Sequence, residues 1–310
     1  MAGPVSGARP SETPAAENTH AAGGWRASLP WWGKIAAKLV LSRLPIRKKW
    51  WQKLGLFSPG YMLHPEYAIV VFQAHYARAG SPPPGFAYLE LGPGDSLSTA
   101  AIAWAHGASE GWLIDAGSYA SRDIDNYRPL FEKLSSMRLP RDAAQLMHCR
   151  SITDMLSITH CAYREDGLTG LKAVRSASLD MIFSQAVLEH VPRGEFGATL
   201  RHLKRILKPG GVGSHVVDFK DHLGASLHNL RFSDKLWERA WFARRSGFYT
   251  NRLRYSEVVA AFESAGFSVE TVAHRMWESI PLPRSRFARQ FRSLSDDDLL
   301  VQGATLITRP

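Results

Sequence analysis

The chain has 310 residues, 45% of them hydrophobic, and a formal net charge of +10. That size and composition exclude a disordered or fibrous chain and allow one large core with an extension. The charge points to an anionic neighbour, whether nucleic acid, membrane surface or acidic substrate. The two cysteines, Cys149 and Cys161, have no CxxC or metal-ligand spacing, which excludes a disulfide framework and reads as buried thiols in a reducing compartment.

Residues 1–24, rich in Ala, Gly, Pro, Ser and Thr, lack the apolar stretch of a signal peptide and are expected to form a disordered tail. Residues 25–85 are expected to form a basic, tryptophan-rich helical extension that ends in a stiff linker, Ser81-Pro82-Pro83-Pro84-Gly85. No acidic residue occurs between residues 18 and 65, whereas Arg26, Lys34, Lys38, Arg43, Arg47, Lys48, Lys49 and Lys53 all do. Ile35, Leu39 and Val40 share a helical face that Pro45 terminates, and Trp31, Trp32, Trp50 and Trp51 flank it. A second helical pattern over 66–78 is too apolar for a free surface. No run approaches the roughly 18 apolar residues of a transmembrane helix.

From residue 86 strands and helices alternate. Strands are expected at 86–91, 111–115, near 160–163, and at 179–184, 212–218, 267–273 and 303–308. Helices are expected at 97–106, within 125–139, after Pro192 to about residue 207, and at 254–265. The Lys208-Pro209-Gly210-Gly211 run is expected to end the third of these. Such alternation predicts an α/β fold: a Rossmann-like, doubly wound, mainly parallel seven-stranded sheet with helices on both faces. The segment 219–253 breaks the rhythm as an aromatic-rich, lid-like insertion.

The stretch Tyr88 to Ser96 carries the most chemistry. A buried strand runs into Gly92-Pro93-Gly94, where the backbone can bend and approach a ligand without a Cβ in the way. Asp95 or Ser96 is expected to cap the next helix. A strand, a glycine turn and a helix N-terminus together make a nucleotide-cofactor site. A dinucleotide fingerprint would need a third Gly or Ala where this chain has Leu97, and Glu90 precedes the turn, which argues against that class. Asp115 lies 21 positions after Gly94, the distance at which the tip of a second strand meets a cofactor ribose. A carboxylate there can accept from both hydroxyls.

Four segments in order resemble the class I S-adenosylmethionine-dependent methyltransferases. Glu90-Leu91-Gly92-Pro93-Gly94 looks like the family's first motif. Gly111-Trp112-Leu113-Ile114-Asp115 looks like its second strand with the terminal acid. The run from Leu179 through Ser184 and Gln185 to Glu189-His190-Val191 looks like its fourth strand and loop. Leu203 to Gly211 looks like the helix and turn before strand five. The pattern is most similar to the small-molecule type, such as the quinone-biosynthesis methyltransferases. The resemblance implies S-adenosyl-L-methionine as cofactor, held by Glu90, Gly92, Gly94, Asp115, Ala116, Ser184 and Gln185. It also implies that one of Glu165, Asp166 and Gly167, with Asp166 foremost, meets the adenine.

Candidate general bases are His190 after strand four and Asp218, Asp221 and His222 after strand five. His215, in mid-strand, reads as a core histidine. The insertion interleaves Phe232, Trp237, Trp241, Phe242, Phe248, Tyr249 and Tyr255 with Arg231, Arg244, Arg245, Arg252 and Arg254. It is expected to cover an apolar acceptor or hold a carboxylate or phosphate. No metal is expected. The expected acceptor is a small molecule or a glycan or lipid-linked group, methylated at oxygen, in the cytoplasm or at the inner face of a membrane. Residues 31–53 could bind an anionic membrane surface as an interfacial anchor, or pack on the core. The rival readings are a membrane-surface binding module and a catalytically inactive methyltransferase-like partner. Nucleic-acid methylation is disfavoured, because Ser184-Gln185-Ala186-Val187 stands where an Asn/Asp-Pro-Pro-aromatic motif would be. Oligomeric state is not legible.

Overall fold

A computed structural model of the chain describes residues 61–239, 242 and 248–310. The expected tail, Trp31, Trp32, Trp50, Trp51 and their basic neighbours, and Trp241, Arg244 and Arg245 lie outside the described residues. The described chain builds a seven-stranded sheet of order β3-β2-β1-β4-β5-β7-β6. The strands are β1 Ala87–Leu91, β2 Glu110–Ile114, β3 Cys161–Arg164, β4 Leu179–Gln185, β5 Leu207–Asp218, β6 Ser268–Met276 and β7 Val301–Arg309. The first five run parallel, while β7 pairs antiparallel with both β5 and β6. This is the doubly wound, Rossmann-like fold expected from the alternation.

The central strands are apolar on both faces because both are covered. One face carries α1 (Pro65–Arg78), α2 (Ser98–Ala105), α3 (Arg128–Ser135) and α4 (Ile152–Ile158), all in one apolar core that includes Phe72, Ile102, Phe131, Met155 and Phe183. The other carries α5 (Leu168–Ala173), α6 (Arg193–Ile206) and α8 (Tyr255–Ser264), packed through Leu171, Phe196, Leu200, Leu203 and Phe262. On α6 the buried residues recur at helical spacing, which is why that helix was legible in the sequence. Every residue of α2 is buried, so its Ala-rich composition lets it lie close over the sheet.

Two expectations are corrected here. The Ser81–Gly85 linker does not divide the extension from the core, since Ala68, Ile69 and Phe72 of α1 are buried in the same cluster as β1 and α2. The Lys208–Gly211 run does not precede strand five but belongs to it as a bulge. Leu179 pairs Leu207 and Met181 already pairs Val212. The insertion holds a four-residue α7 (Asp234–Trp237), and beyond it α9 (Asp296–Leu300) leads into β7.

Candidate active site

At the carboxyl edge of the parallel strands, Gly92 and Gly94 adopt φ +72° and +66°, a left-handed region that favours glycine. A Cβ on Gly92 would sit 2.5 Å from Val187 of the loop after β4, so the bend needs the bare backbone. Beside Gly94 the equivalent space is open. Asp115 fixes this bend from the tip of β2. Its carboxylate accepts from Gly94 N–H at 2.9 Å and from Ala116 N–H at 2.7 Å, one oxygen each. Two bonds leave lone pairs on both oxygens for a further donor. Burial raises the Asp115 pKa above the ordinary value, and the two amides oppose that shift.

Of the two expected capping residues, Ser96 meets the helix start: its Oγ accepts from the N–H of Ser98, the first residue of α2, whereas Asp95 lies in the wall of the cleft. Leu97 sits at the N-cap position, and its N–H donates to the hydroxyl of Tyr127, which donates in turn to Ser121 O. That second contact comes from thirty residues away, which no local pattern could announce.

A cleft of about 610 Å³ opens over the glycine bend. Gly92, Gly94, Asp115, Ala116, Gln185 and His190 all line it. So do Gly167, one of the three residues expected near the adenine, and Tyr249 of the insertion, together with Met62, Tyr119 and Leu168, which the sequence did not single out for this site. Tyr119 follows a strand tip, a signal that could have found it; nothing local marks Met62. Asp95, Asp115 and Glu195 are the charged residues among the described lining, which contains no Lys or Arg.

Other expected site residues lie elsewhere. Glu90 is buried within β1, pairs in register with Leu113 and Phe183, and lies outside the lining. Its Oε2 meets no hydrogen-bond partner, and burial pushes its pKa up to about 8. Ser184 is buried, with Oγ 2.9 Å from His215 Nδ1, and stays beneath the cleft. Asp166 turns outward to a two-pronged ion pair with Arg164, and its neighbours Gly167 and Leu168 face the cleft instead.

The four candidate bases separate sharply. His190 lines the cleft, and its Nδ1 lies 3.0 Å from Tyr249 O. The ring stacks on His222 with centroids 4.9 Å apart and planes 12° from parallel. Desolvation by the surrounding walls, and then the neighbouring His222, lower the His190 pKa below its ordinary value. His222 itself is outside the lining. Asp221 orders its own loop, accepting from Leu223, Gly224 and His228 N–H groups. Asp218 accepts from Lys220 N–H and borders a separate small void. Neither carboxylate reaches the cleft.

The described part of the insertion is not a wall of aromatics facing a ligand. Leu223, Trp237, Phe242, Phe248 and Tyr249 bury one another, and of these only Tyr249 also lines the cleft. Arg252 is wholly buried between Trp237 and Phe291 and paired with Asp234 and Glu238. Arg254 donates to the carbonyls of Phe219, Asp298 and Val301. Both guanidinium groups are therefore structural, and neither is placed to hold an anionic acceptor. Among the described residues no cluster of His, Cys, Asp and Glu could hold a metal, and no helix is long and apolar enough to cross a membrane.

The family model described as "Methyltransferase domain" matches residues 138–214. No curated protein matches the chain. Solved structures similar to it include the Burkholderia thailandensis 1,6-didemethyltoxoflavin-N1-methyltransferase with bound 1,6-didemethyltoxoflavin and S-adenosylhomocysteine. That structure is 14% identical, with a TM-score of 0.41, over 90% of this chain and 88% of the other. A putative O-methyltransferase from Nostoc punctiforme is 13% identical over 90% and 68% of the two chains, with a TM-score of 0.43. An S-adenosylmethionine-dependent methyltransferase from Mesorhizobium loti is 16% identical over 81% and 100%, with a TM-score of 0.37.

Proposed function

We propose that this chain, an S-adenosylmethionine-dependent methyltransferase, transfers the methyl group to a hydroxyl oxygen of a small-molecule, glycan or lipid-linked acceptor, with His190 as general base. The cofactor fits the cleft chemically. Asp115 retains acceptor capacity for vicinal hydroxyls, and Leu91, Ile114, Leu168 and Val187 provide apolar walls for a base. A lining with carboxylates and no cation suits a sulfonium better than a pyrophosphate. When bound, the cofactor supplies a methyl group already activated by the positive sulfur.

What remains for the protein is alignment, exclusion of water and removal of one proton. Alignment of reacting groups can supply roughly 7–11 kcal/mol of the barrier. The observation that carries the base assignment is the 3.0 Å contact of His190 Nδ1 with Tyr249 O. A carbonyl only accepts, so the proton of the neutral ring resides on Nδ1 and Nε2 carries the lone pair. In that tautomer the Nε2 lone pair is the ring's proton acceptor. Expected from this reading is stabilisation by S-adenosylhomocysteine and not by NADH in a thermal-shift assay, lost in Asp115→Ala. Charge-assisted hydrogen bonds predict a loss of affinity of roughly 10- to 100-fold for that variant. Stabilisation by NADH alone would overturn the cofactor site. The acid-free basic segment within residues 18–65 supports a second, compatible reading, in which the enzyme works at an anionic membrane surface.

A further inference from the structure

His75 has no role in the chemistry above, yet it touches the wall of the cleft. Its side chain is fully buried on α1 and stacks on Phe183 of β4, with centroids 4.8 Å apart. Nδ1 lies 2.8 Å from Ser214 Oγ on β5, and Nε2 lies 3.0 Å from Gln185 Oε1 at the end of β4. Burial pushes the imidazole pKa down to about 3, so the ring is neutral and carries one proton. The Gln185 carbonyl oxygen can only accept. The proton therefore sits on Nε2, and Nδ1 accepts from the Ser214 hydroxyl. With its oxygen held inward, Gln185 has an amide nitrogen that finds no acceptor among the described residues, in a half-buried side chain that lines the cleft.

We infer that His75 is a positioning residue: it locks the Gln185 amide so that its N–H donors face the cleft and receive the carboxylate of the cofactor's amino-acid end. This rests on the methyl-transfer reading of the cleft. Two observations place that carboxylate here. Ser184 pairs in register with Leu91, so Gln185 stands beside the glycine bend. No Lys or Arg occurs in the described lining, so an anionic group needs neutral donors. The register of α1 against the sheet thus sets which face of Gln185 a ligand meets.

The test is calorimetric titration of the full chain with S-adenosylhomocysteine and with 5′-methylthioadenosine, which lacks the amino-acid end. Gln185→Ala and His75→Leu should each weaken S-adenosylhomocysteine by about three- to tenfold and leave 5′-methylthioadenosine unchanged. The double variant should bind no more weakly than Gln185→Ala alone, because His75 acts through Gln185. Equal loss for both ligands, additive losses, or no loss would overturn the inference. Should His75→Leu fail to fold, imidazole ¹⁵N spectra of the unaltered protein decide the matter. A proton on Nε2 of His75 is required, and one on Nδ1 refutes the lock. If neither ligand binds the unaltered protein, the methyl-transfer reading itself falls, and the inference falls with it.

Discussion

At the scale of single residues, the cleft and its floor hold titratable groups that burial drives away from their ordinary charge. Glu90 is 2% exposed with one oxygen unpartnered, and its pKa stands at about 8 against 4.5 for a free side chain. In the unfolded chain this carboxyl ionises above about 4.5, while in the fold it stays protonated until about 8. Its contribution to stability is therefore complete at acid pH and is lost as pH rises across that window. Glu90→Gln should flatten the dependence of melting temperature on pH between these limits and should melt higher than the natural protein at the alkaline end. Parallel curves for the two proteins would remove this account. His190 yields a kinetic prediction. His190→Gln should lower kcat by about 10²- to 10⁴-fold and leave S-adenosylhomocysteine affinity within about twofold, as the proton acceptor is lost and the glycine bend is untouched. A matching fall in cofactor affinity, measured by titration, would reassign the residue to binding.

At the scale of elements, the insertion is tied down by arginines rather than opened as a gate. The Arg254 guanidinium joins three carbonyls, from Phe219 just past β5, from α9 and from the start of β7. Three buried acceptors would lose their donor together in Arg254→Ala. At about 1–3 kcal/mol for each unsatisfied group, the expected loss of stability is roughly 3 kcal/mol or more. Arg254 is not among the residues lining the cleft, so ligand affinity of the folded fraction should persist. Urea denaturation paired with S-adenosylhomocysteine titration checks both halves. Unchanged stability would mean that water replaces the guanidinium at those carbonyls. The same element-level logic explains α1, whose His75 stacks on Phe183 of β4 and whose Phe72 meets the same ring edge to face. This helix is at once a core element and a support of the cleft.

At the scale of the whole molecule, the excess basic charge gathers in the acid-free stretch before Pro65, while Gly92, Gly94 and Asp115 of the cleft come well after it in the chain. Because a chain beginning at residue 61 keeps the glycine bend and Asp115, the expected outcome is retained binding of S-adenosylhomocysteine. One beginning at residue 86 should aggregate, because loss of α1 uncovers the apolar face of α2 and Phe183. Size-exclusion chromatography with ligand titration distinguishes the two; a monodisperse, ligand-binding chain from residue 86 would show that α1 is dispensable. The full chain should also sediment with vesicles rich in anionic lipid at low salt and release at high salt, and the chain from residue 61 should not. Indifference of the full chain to such vesicles would end the membrane-surface reading.

The sequence by itself determined the sheet, the glycine bend and the acid opposite it, because strand alternation, glycine dihedral needs and helical spacing are local properties that a short window of residues expresses. It also marked His190, since a polar residue just after a parallel strand must lie at the ligand-binding edge. Which of the neighbouring candidates could reach a ligand was decided only by the tertiary structure. Asp221 and Asp218 hold turns, Asp166 pairs with Arg164, and Ser184 faces inward to His215. The Tyr127 contact with Leu97 before α2, the shared core of α1 and the His75–Gln185 contact likewise join residues far apart in the chain. Hydrogen-bond direction and burial depend on which distant groups meet, and residue type and spacing along the chain do not encode those meetings.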